Sequence, residues 1–487
     1  MSKPNALFYG DNLVWLRDYK YFPDESVDLI YLDPPFNSKA AYNVLFNEPS
    51  QGIKSQAQIK AFDDTWHWES ESSALALNEL AQNKPQIAEY ISWLSKQGKQ
   101  QESMSAYLSM MAIRLIELRR VLKQSGSIYL QCDPTASHYL KVLMDIIFGF
   151  NCFQNEIVWC YKLGGRPQKG YPRKHGIILF YTKNSDNSFV FNADAIRVPY
   201  ESTGGYISSG RKIVNGKEYK VNPLGKVPED WWFISALNRE EDERLGYPTQ
   251  KPLELLERIV KASSNEGDIV LDPFCGCGTA IEAAQKHKRR WLGIDVTWLA
   301  IDLVEKRLKS AHDSKIKGIY EVHGKPYDLA SAQALANKSK KEFEIWAITL
   351  ASEFAAPRER DGGVDGIFGF IEKDSKPRTI IIQVKGGEAL NPGMVRDLIG
   401  TVKKEGAAIG LLVTLNPPTS GMSQLAVHSE LYHSELWNKN YPSIQIRTVE
   451  ELLADKSFDL PPTQSPLRKA KTVKEIGHQI IQDLDIS

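Results

Sequence analysis

Short apolar segments alternate with longer amphipathic segments along the first 310 residues. The run VDLIYL at residues 27–32 has the length and the β-branched content of a buried strand. The stretch MSAYLSMMAIRLIELRRVLK at 104–123 has apolar residues at helical spacing, and GSIYLQCD at 126–133 is again strand-like. This alternation predicts an α/β fold, a parallel sheet covered by helices.

The chain is also expected to hold more than one domain, because 487 residues exceed what one hydrophobic core supports. A new periodic pattern starts at FEIWAITLASEF, after a looser polar passage. A middle segment rich in Gly, Asn and Ser is aperiodic and predicts loops. The predicted division is a first domain at 1–312 with 184–246 as its loop region, a linker at 313–340, a second domain at 341–460 and a tail at 461–487.

Composition limits the kinds of binding partner and site that the sequence predicts. Lys and Arg total 60, as do Asp and Glu, so the formal net charge is zero and any surface for nucleic acid must be local. Five cysteines without a C-x-x-C repeat argue against a disulfide scaffold or a structural zinc site. With no export signal and no run of 18 apolar residues, we expect a cytoplasmic protein with no membrane partner.

The first candidate motif is Asp33-Pro34-Pro35-Phe36, which directly follows the predicted strand at 27–32. Open α/β sheets place their ligands at the carboxyl ends of strands. Prolines end the hydrogen-bond ladder and stiffen the turn. Taken alone, the motif is either a rigid turn or part of a site.

The second candidate is GDIVLDPFCGCGTAIEAAQKHKRRWLGIDV at 267–296, which predicts a strand, a small-residue loop, a helix from Thr279 and a strand ending at Asp295. Glycines allow close approach of a ligand, and an acid about 20 residues further on can bind a ribose. The loop lacks the G-x-x-x-x-G-K-[ST] phosphate cradle, so ATP-driven translocation is not expected. Cys275 and Cys277 are interpreted as small fillers rather than metal ligands.

Three motifs in fixed order, DPPF, YPTQKP (247–252) and DPFCGCGT (272–279), resemble the amino-group DNA methyltransferases. The catalytic motif precedes the cofactor loop, as in the circularly permuted β class of that family. Over residues 5–310 the resemblance implies a Rossmann-like class I fold that uses S-adenosyl-L-methionine (SAM). It implies a SAM site made of Asp11 near the adenine, Thr249 and Lys251 at the methionine end, Asp272, Phe274, Gly276 and Gly278 in the loop, and Asp295 on the ribose.

The resemblance also gives the opening motif a chemical role on double-stranded DNA. The Asp33 carboxylate and the Pro34 carbonyl accept the two protons of an exocyclic amine, and Phe36 stacks on the base after it leaves the duplex. The prolines position these groups rather than react. Adenine N6 is favoured over cytosine N4, although the motif admits both. In the loop region, Arg211, Lys212, Trp231 and Trp232 are candidates for DNA contact, or aromatic residues that pack down.

The second domain holds a different pattern, DGGVDGIFGFIEKDSKPRTIIIQVKGG, read as two strands joined by a turn. Residues two apart in a strand share a face, so Gln383 and Lys385 project together beside Asp365. Such a set can hold Mg²⁺ and orient a water against a phosphodiester. The surrounding sequence resembles the Mrr-like branch of the PD-(D/E)xK restriction endonuclease fold, an α/β domain, which implies a metal site of Asp365 and Gln383 with Glu344, or its competitor Glu353.

The sequence therefore predicts a DNA methyltransferase fused to a Mg²⁺-dependent endonuclease, a restriction and modification enzyme without an ATP motor. A homodimer is compatible with it. One alternative is a cytosine N4 methyltransferase whose nuclease-like domain only binds DNA. Another is a SAM-binding regulator without catalysis.

Overall fold

The computed structural model describes residues 5–35, 41–47, 56–63, 71–162, 167–200, 211–214, 217–220, 222–237, 243–245, 247, 249–312, 318–352, 354–360, 363–374 and 376–462. The predicted tail therefore lies almost wholly outside the described residues. No helix in these ranges is long and apolar enough to cross a membrane.

The first unit alternates strands and helices, as the hydrophobic pattern predicts. Its strands are β1 (Asn5–Tyr9), β2 (Val27–Leu32), β3 (Ala41–Asn47), β4 (Gln56–Asp63), β5 (Leu122–Cys132), β6 (Phe153–Cys160), β7 (His175–Thr182), β8 (Arg211–Val214), β9 (Lys217–Lys220), β10 (Trp231–Phe233), β11 (Ile269–Asp272), β12 (Arg290–Asp295) and β13 (Tyr320–His323). Its helices are α1 (Asn12–Leu16), α2 (Glu71–Asn83), α3 (Pro85–Ser95), α4 (Lys99–Val121), α5 (Ser137–Phe148), α6 (Leu253–Ser263), α7 (Thr279–Lys286) and α8 (Trp298–His312), with 3₁₀ turns at Phe150–Cys152 and Ala193–Ile196.

Nine of these strands form one sheet in the order β10-β6-β7-β5-β2-β11-β12-β1-β13. Only β7 runs antiparallel to its neighbours. The late strands β11 and β12 lie between the early strands β2 and β1, with Val270 beside Leu29 and Ala6 beside Leu292. The carboxyl ends of these four adjacent parallel strands therefore meet at one edge of the sheet.

Helices cover both faces of this sheet, which is why its strands are apolar on both sides. One face packs on α3, α4 and α5 through buried residues such as Ile91, Tyr107 and Leu140. The other packs on α6, α7 and α8 through residues such as Leu256 and Val304. The fold is the α/β class expected from the sequence.

The second unit is a smaller α/β domain. Its elements are α9 (Leu329–Lys338), α10 (Lys340–Ala351), β14 (Ala356–Arg360), β15 (Val364–Ile371), β16 (Pro377–Lys385), α11 (Pro392–Glu405), β17 (Ile409–Thr414), α12 (Ser420–Val427), β18 (Leu431–Ser434), β19 (Lys439–Pro442), β20 (Ile444–Thr448) and α13 (Val449–Leu453). Its sheet has the order β14-β15-β16-β17-β20. The first three strands are antiparallel and the last three are parallel, with β16 common to both sets.

The two units share a continuous hydrophobic core. Trp298 at the start of α8 is buried, and so is Trp346 in α10. The indole Nε1 of Trp298 donates a hydrogen bond of 2.7 Å to Oγ1 of Thr349 in α10. The second unit is thus packed directly on the first.

The predicted linker at 313–340 is not a loose connection in its described part. Strand β13 adds to the sheet beside β1, with Asn5 next to Tyr320, and α9 begins at a capping box on Asp328. Pairing with β13 covers the edge of the sheet at β1, which would otherwise be exposed. The local sequence, rich in Lys, Gly and Pro, did not predict this strand. Residues 56–63 form a strand of the β3–β4 hairpin.

Candidate active sites

Four acidic residues converge at the carboxyl edge of the large sheet. Asp33 follows β2, Asp272 ends β11, Asp295 ends β12, and Asp11 comes two residues after β1. All four line one cavity of about 250 Å³. The structure thus brings together residues that lie up to 284 positions apart in the chain.

Most of the other predicted cofactor residues also line this cavity, namely Thr249, Lys251, Phe274 and Gly276. Gly278 does not line it and instead precedes the first turn of α7. Pro34 is buried and does not line the cavity, whereas Pro35 does. Phe36 lies outside the described residues, so its stacking role stays a prediction.

The loop between β11 and α7 needs glycine at two positions. Gly276 has φ +47°, and its N–H donates a 2.9 Å hydrogen bond to Oδ2 of Asp295. Gly278 has φ +77°, and a Cβ there would lie 2.8 Å from Cγ2 of Val304 in α8. The loop therefore wraps tightly between Asp295 and α8.

The catalytic candidate Asp33 has a partner that the sequence did not reveal. The Lys251 ammonium donates to Oδ2 of Asp33, and the side chains of both residues are at most 15% exposed. The same ammonium donates to the Thr249 carbonyl at 3.0 Å. Thr249 has φ +61°, which is rare for a β-branched residue and typical of functional sites. Lys251 thus contacts the catalytic candidate Asp33, and its assignment to the methionine end of SAM stays a prediction.

Burial dominates the electrostatics of this cavity. It raises the pKa of Asp272 well above its usual range, and the nearby charges of Asp33 and Asp295 raise that pKa further. Burial also raises the pKa of Asp295, while hydrogen bonds from Thr297 and Gly276 oppose the shift. A cationic ligand would favour the ionised forms of these acids, because its positive charge would compensate for the hydration that the carboxylates lose on burial.

Arg114 and Asn12 are part of this cavity and were not predicted. Arg114, in α4, forms a 2.8 Å ion pair with Asp11, and its Nε donates to Oδ1 of Asn12 at 2.6 Å. Asn12 in turn donates to the Pro273 carbonyl at 2.7 Å. A single arginine lies inside the apolar run MMAIRLI, and a charged side chain in such a run needs a partner. This pattern could have indicated Arg114 in the sequence.

Arg307 is a second buried cation that the motifs did not indicate. It is 2% exposed, forms an ion pair with Glu282 in α7, and donates to Oγ1 of Thr279 at 3.0 Å. A further hydrogen bond of 3.4 Å reaches the Cys277 carbonyl. Arg307 therefore links α8 to the glycine loop and to the start of α7, and it does not itself line the cavity.

The second candidate site lies where β15 and β16 meet α10. Gly366 pairs with Ile382, which brings Asp365 and Gln383 to neighbouring positions. Oδ2 of Asp365 accepts a 2.7 Å hydrogen bond from the Val384 N–H, so the carboxylate is held against the partner strand. The Gln383 amide is buried and donates to the Gly363 carbonyl.

Glu344 approaches this site from α10. Burial raises its pKa, an ion pair with Lys341 opposes the shift, and the charge of Asp365 adds to it. Lys385, at the end of β16, also influences Glu344. The four predicted residues are thus near one another, while the competitor Glu353 lies outside the described residues. No group of three or more His, Cys, Asp or Glu suited to a metal occurs in the described ranges.

The predicted DNA-contact residues divide by burial. Trp231 is 46% exposed on edge strand β10, whereas Trp232 is 7% exposed and its Nε1 donates to the Glu229 carbonyl at 2.8 Å. Trp232 is therefore a packing residue, because alternate strand positions face opposite sides. Arg211 and Lys212 lie in β8 of a two-stranded hairpin.

Two family profiles match the chain. The profile described as "DNA methylase" matches residues 27–306, and the profile described as "restriction endonuclease" matches residues 336–440. The first spans more than half of the chain and contains all three motifs. The second contains Glu344, Asp365, Gln383 and Lys385.

Curated relatives match part of this chain. Type II methyltransferase M.HpaI of Haemophilus parainfluenzae is 37% identical over 196 residues, 40% of this chain and 57% of that protein. DNA adenine methyltransferase YhdJ of Escherichia coli K12 is 28% identical over 313 residues, 64% of this chain and 84% of that protein. The solved PvuII DNA methyltransferase (cytosine-N4-specific) has a TM-score of 0.38 and 13% identity, covering 66% of this chain and 96% of that chain. The fold assignment accordingly rests on strand order and the family match.

Proposed function

We propose, on the premise that this chain belongs to the DNA methylase family, that it transfers a methyl group from SAM to the exocyclic amine of a flipped base in double-stranded DNA. One observation carries the proposal. Asp33 of the D-P-P-F motif, Asp272 of the glycine loop and Asp295 at the end of β12 line a single cavity at the ends of adjacent strands. A base and a cofactor can therefore reach each other there.

The cavity has a donor set suited to SAM, which supplies a methyl group on a positively charged sulfur. Asp272 is buried and Asp295 is partly buried, and a cation would stabilise the charged forms of both carboxylates. Met110, Ala280 and Phe274 give the cavity apolar walls. Asp295, at the end of β12, has the position that binds ribose hydroxyls in related folds.

Asp33 has the role of orienting the amine. Its carboxylate accepts one amine proton and the Pro34 carbonyl accepts the other, which favours attack by the nitrogen lone pair. The Lys251 ammonium, in contact with Asp33, stabilises the ionised carboxylate. Asp33 need not be a strong base, because the methylated nitrogen is cationic and releases its proton readily.

Adenine N6 is the favoured target, and cytosine N4 is the alternative. The D-P-P-F form of the motif favours adenine, and YhdJ is named as an adenine methyltransferase. Digestion of methylated DNA to nucleosides, followed by mass spectrometry, distinguishes N6-methyladenine from N4-methylcytosine. Detection of only the cytosine product would reverse the preference.

We propose that the second unit is a Mg²⁺-dependent DNA endonuclease, so that modification and restriction share one chain. Asp365, Gln383 and Glu344 would hold the metal, and Lys385 would orient a water or stabilise the scissile phosphate. Gln383 contributes a neutral oxygen, which lowers metal affinity relative to a second carboxylate. A DNA-binding unit that does not cut is the alternative.

The decisive test uses the purified full chain, tritiated SAM and plasmid DNA. Transfer of label to DNA supports the methyltransferase proposal, whereas SAM binding without transfer to any DNA favours a regulator. Adding Mg²⁺ to matched methylated and unmethylated plasmids tests cleavage, and intact plasmid in every lane favours the non-cutting alternative. We expect the enzyme to work in the cytoplasm without ATP, and light scattering tests the proposed homodimer.

A further inference from the structure

A carboxylate from the second unit contacts two elements of the first unit that adjoin the cofactor cavity. Oε2 of Glu342, in the first turn of α10, accepts hydrogen bonds from the Tyr9 hydroxyl at 3.1 Å and from the Trp298 N–H at 2.9 Å. Tyr9 ends β1, and Trp298 begins α8. Glu342 therefore links two elements of the first unit that flank the cavity.

The contact to Trp298 has a clear physical basis. The first N–H groups of a helix have no partner inside it, and the helix dipole favours negative charge there. Oγ1 of Thr297 accepts from the Ala300 N–H at 3.3 Å, and Glu342 accepts from the N–H of Trp298. The start of α8 is thus capped jointly by its own chain segment and by the second unit.

The capped segment carries part of the cofactor site. Asp295, Val296 and Thr297 immediately precede Trp298, and all three line the cavity. Oδ1 of Asp295 accepts from the N–H and the hydroxyl of Thr297, both at 2.9 Å. On the other side, the Gly10 N–H donates to the Asp295 carbonyl at 2.9 Å, so β1 and α8 hold this segment between them.

We propose that Glu342 is a positioning residue for cofactor binding, supplied by the nuclease-like unit to the methyltransferase site. It fixes the ends of β1 and α8 and thereby orients Asp295 toward the cofactor. The proposal rests on the proposed function of this cavity. It assigns the second unit a role in methylation that is separate from DNA cutting.

The competing explanation is that Glu342 only holds the two units together. A substitution at Thr349 distinguishes this explanation from the proposed positioning role. The Trp298–Thr349 hydrogen bond crosses the same interface between the same two helices, but it involves the Trp298 ring rather than the Trp298 N–H, which directly follows the 295–297 segment. Loss of the Thr349 bond would loosen the interface without releasing the 295–297 segment. The Thr349→Val variant is therefore the matched control.

The test compares full-length wild type, Glu342→Ala, Glu342→Gln and Thr349→Val by calorimetric titration with SAM and by methyl-transfer kinetics. We expect Glu342→Ala to weaken SAM binding about ten-fold, the scale of a lost hydrogen bond to a charged group, and to raise KM for SAM with little change in kcat. Glu342→Gln keeps an acceptor oxygen and should restore affinity to within about three-fold of wild type. Thr349→Val should bind SAM like wild type.

Three results would overturn the proposal: wild-type affinity in Glu342→Ala, equal weakening in Thr349→Val, or no recovery in Glu342→Gln. If thermal unfolding shows that Glu342→Ala does not fold, Tyr9→Phe replaces it. That variant removes one of the two contacts and should weaken SAM binding about three-fold. Unchanged affinity in Tyr9→Phe would then overturn the proposal. Failure of wild type to bind SAM at all would instead refute the proposed function.

Discussion

The two candidate sites are built in opposite ways. The candidate methyltransferase site collects four acids from the ends of adjacent strands into one cavity, and Asp272 there is 3% exposed. The candidate nuclease site lies on two antiparallel strands and one helix, and Asp365 and Lys385 are partly exposed while Gln383 is buried. The first suits a small cationic cofactor that must be shielded from water, and the second suits a metal and a long DNA backbone.

The two sites also differ in the interactions that hold their side chains in place. In the cavity, Lys251 contacts Asp33 and Arg114 contacts Asp11, while Arg307 supports the glycine loop from outside the cavity, so largely buried cations hold this site together. In the candidate nuclease site, Asp365 is instead held by a backbone group, because its carboxylate accepts a hydrogen bond from the Val384 N–H. Charge changes should therefore disturb the first site more widely than the second.

The largest expected effect comes from Asp33→Ala. Loss of the oriented acceptor should lower methyl transfer by about 10³-fold or more, while SAM affinity changes by less than about three-fold. Label transfer and calorimetry measure the two quantities. DNA cutting should be unchanged, because Asp33 lies in the other site. Loss of SAM binding together with transfer would mean that Asp33 holds the cofactor rather than the base.

The second prediction concerns Asp365→Asn. Removing this carboxylate should lower Mg²⁺-dependent plasmid cleavage by about 10³-fold and leave methylation unaltered. The control is Asp374→Asn, an exposed carboxylate in the turn of the same hairpin, paired with Arg378. Cleavage by Asp365→Asn at the wild-type rate would remove this residue from the site. A matching fall in both variants would point to damage of the hairpin.

Arg307→Met should have a smaller but global effect. It leaves Glu282 and the Cys277 carbonyl without their buried partner, so the free energy of unfolding should fall by about 3 kcal/mol. Urea denaturation followed by circular dichroism measures the change. Lys288→Met, which removes an exposed pair with Glu266, is the control and should change stability by about 0.5 kcal/mol or less. Equal stability of the two variants would contradict the structural role of Arg307.

The smallest expected effect is a gain of stability in Asp272→Asn. Because burial raises the pKa of Asp272, the unfolded chain releases this proton at lower pH than the folded protein does. Above an unfolded pKa of about 3.9, Asp272 therefore destabilises the fold increasingly as pH rises. Asparagine keeps the acceptor oxygen for the Phe274 N–H and removes the charge.

We expect Asp272→Asn to raise the free energy of unfolding by roughly 0.5–2 kcal/mol at pH 8 and by less at pH 5. Urea denaturation at both pH values checks this. A variant that is less stable than wild type at pH 8 would show that the ionised carboxylate is stabilised in the empty cavity, contrary to the direction of its pKa shift.

Local patterns were enough to locate the main elements that carry the candidate sites. The strand at 27–32, the glycine loop and the strand ending at Asp295 lie where periodicity and glycine chemistry predict. These features depend on residues close in sequence, because strand alternation, helix starts and left-handed turns are set by neighbouring side chains and backbone. Three such motifs in order also sufficed to identify the family.

Only tertiary structure determined the partners. The contact of Lys251 with Asp33 spans 218 positions, and the contact of Glu342 with Tyr9 spans 333. Pairing of β13 with β1 occurred where a linker was expected. Burial, which sets the pKa of Asp272, is likewise a property of the packed molecule. Packing decides which distant groups share a desolvated space, and no local pattern in the chain encodes that.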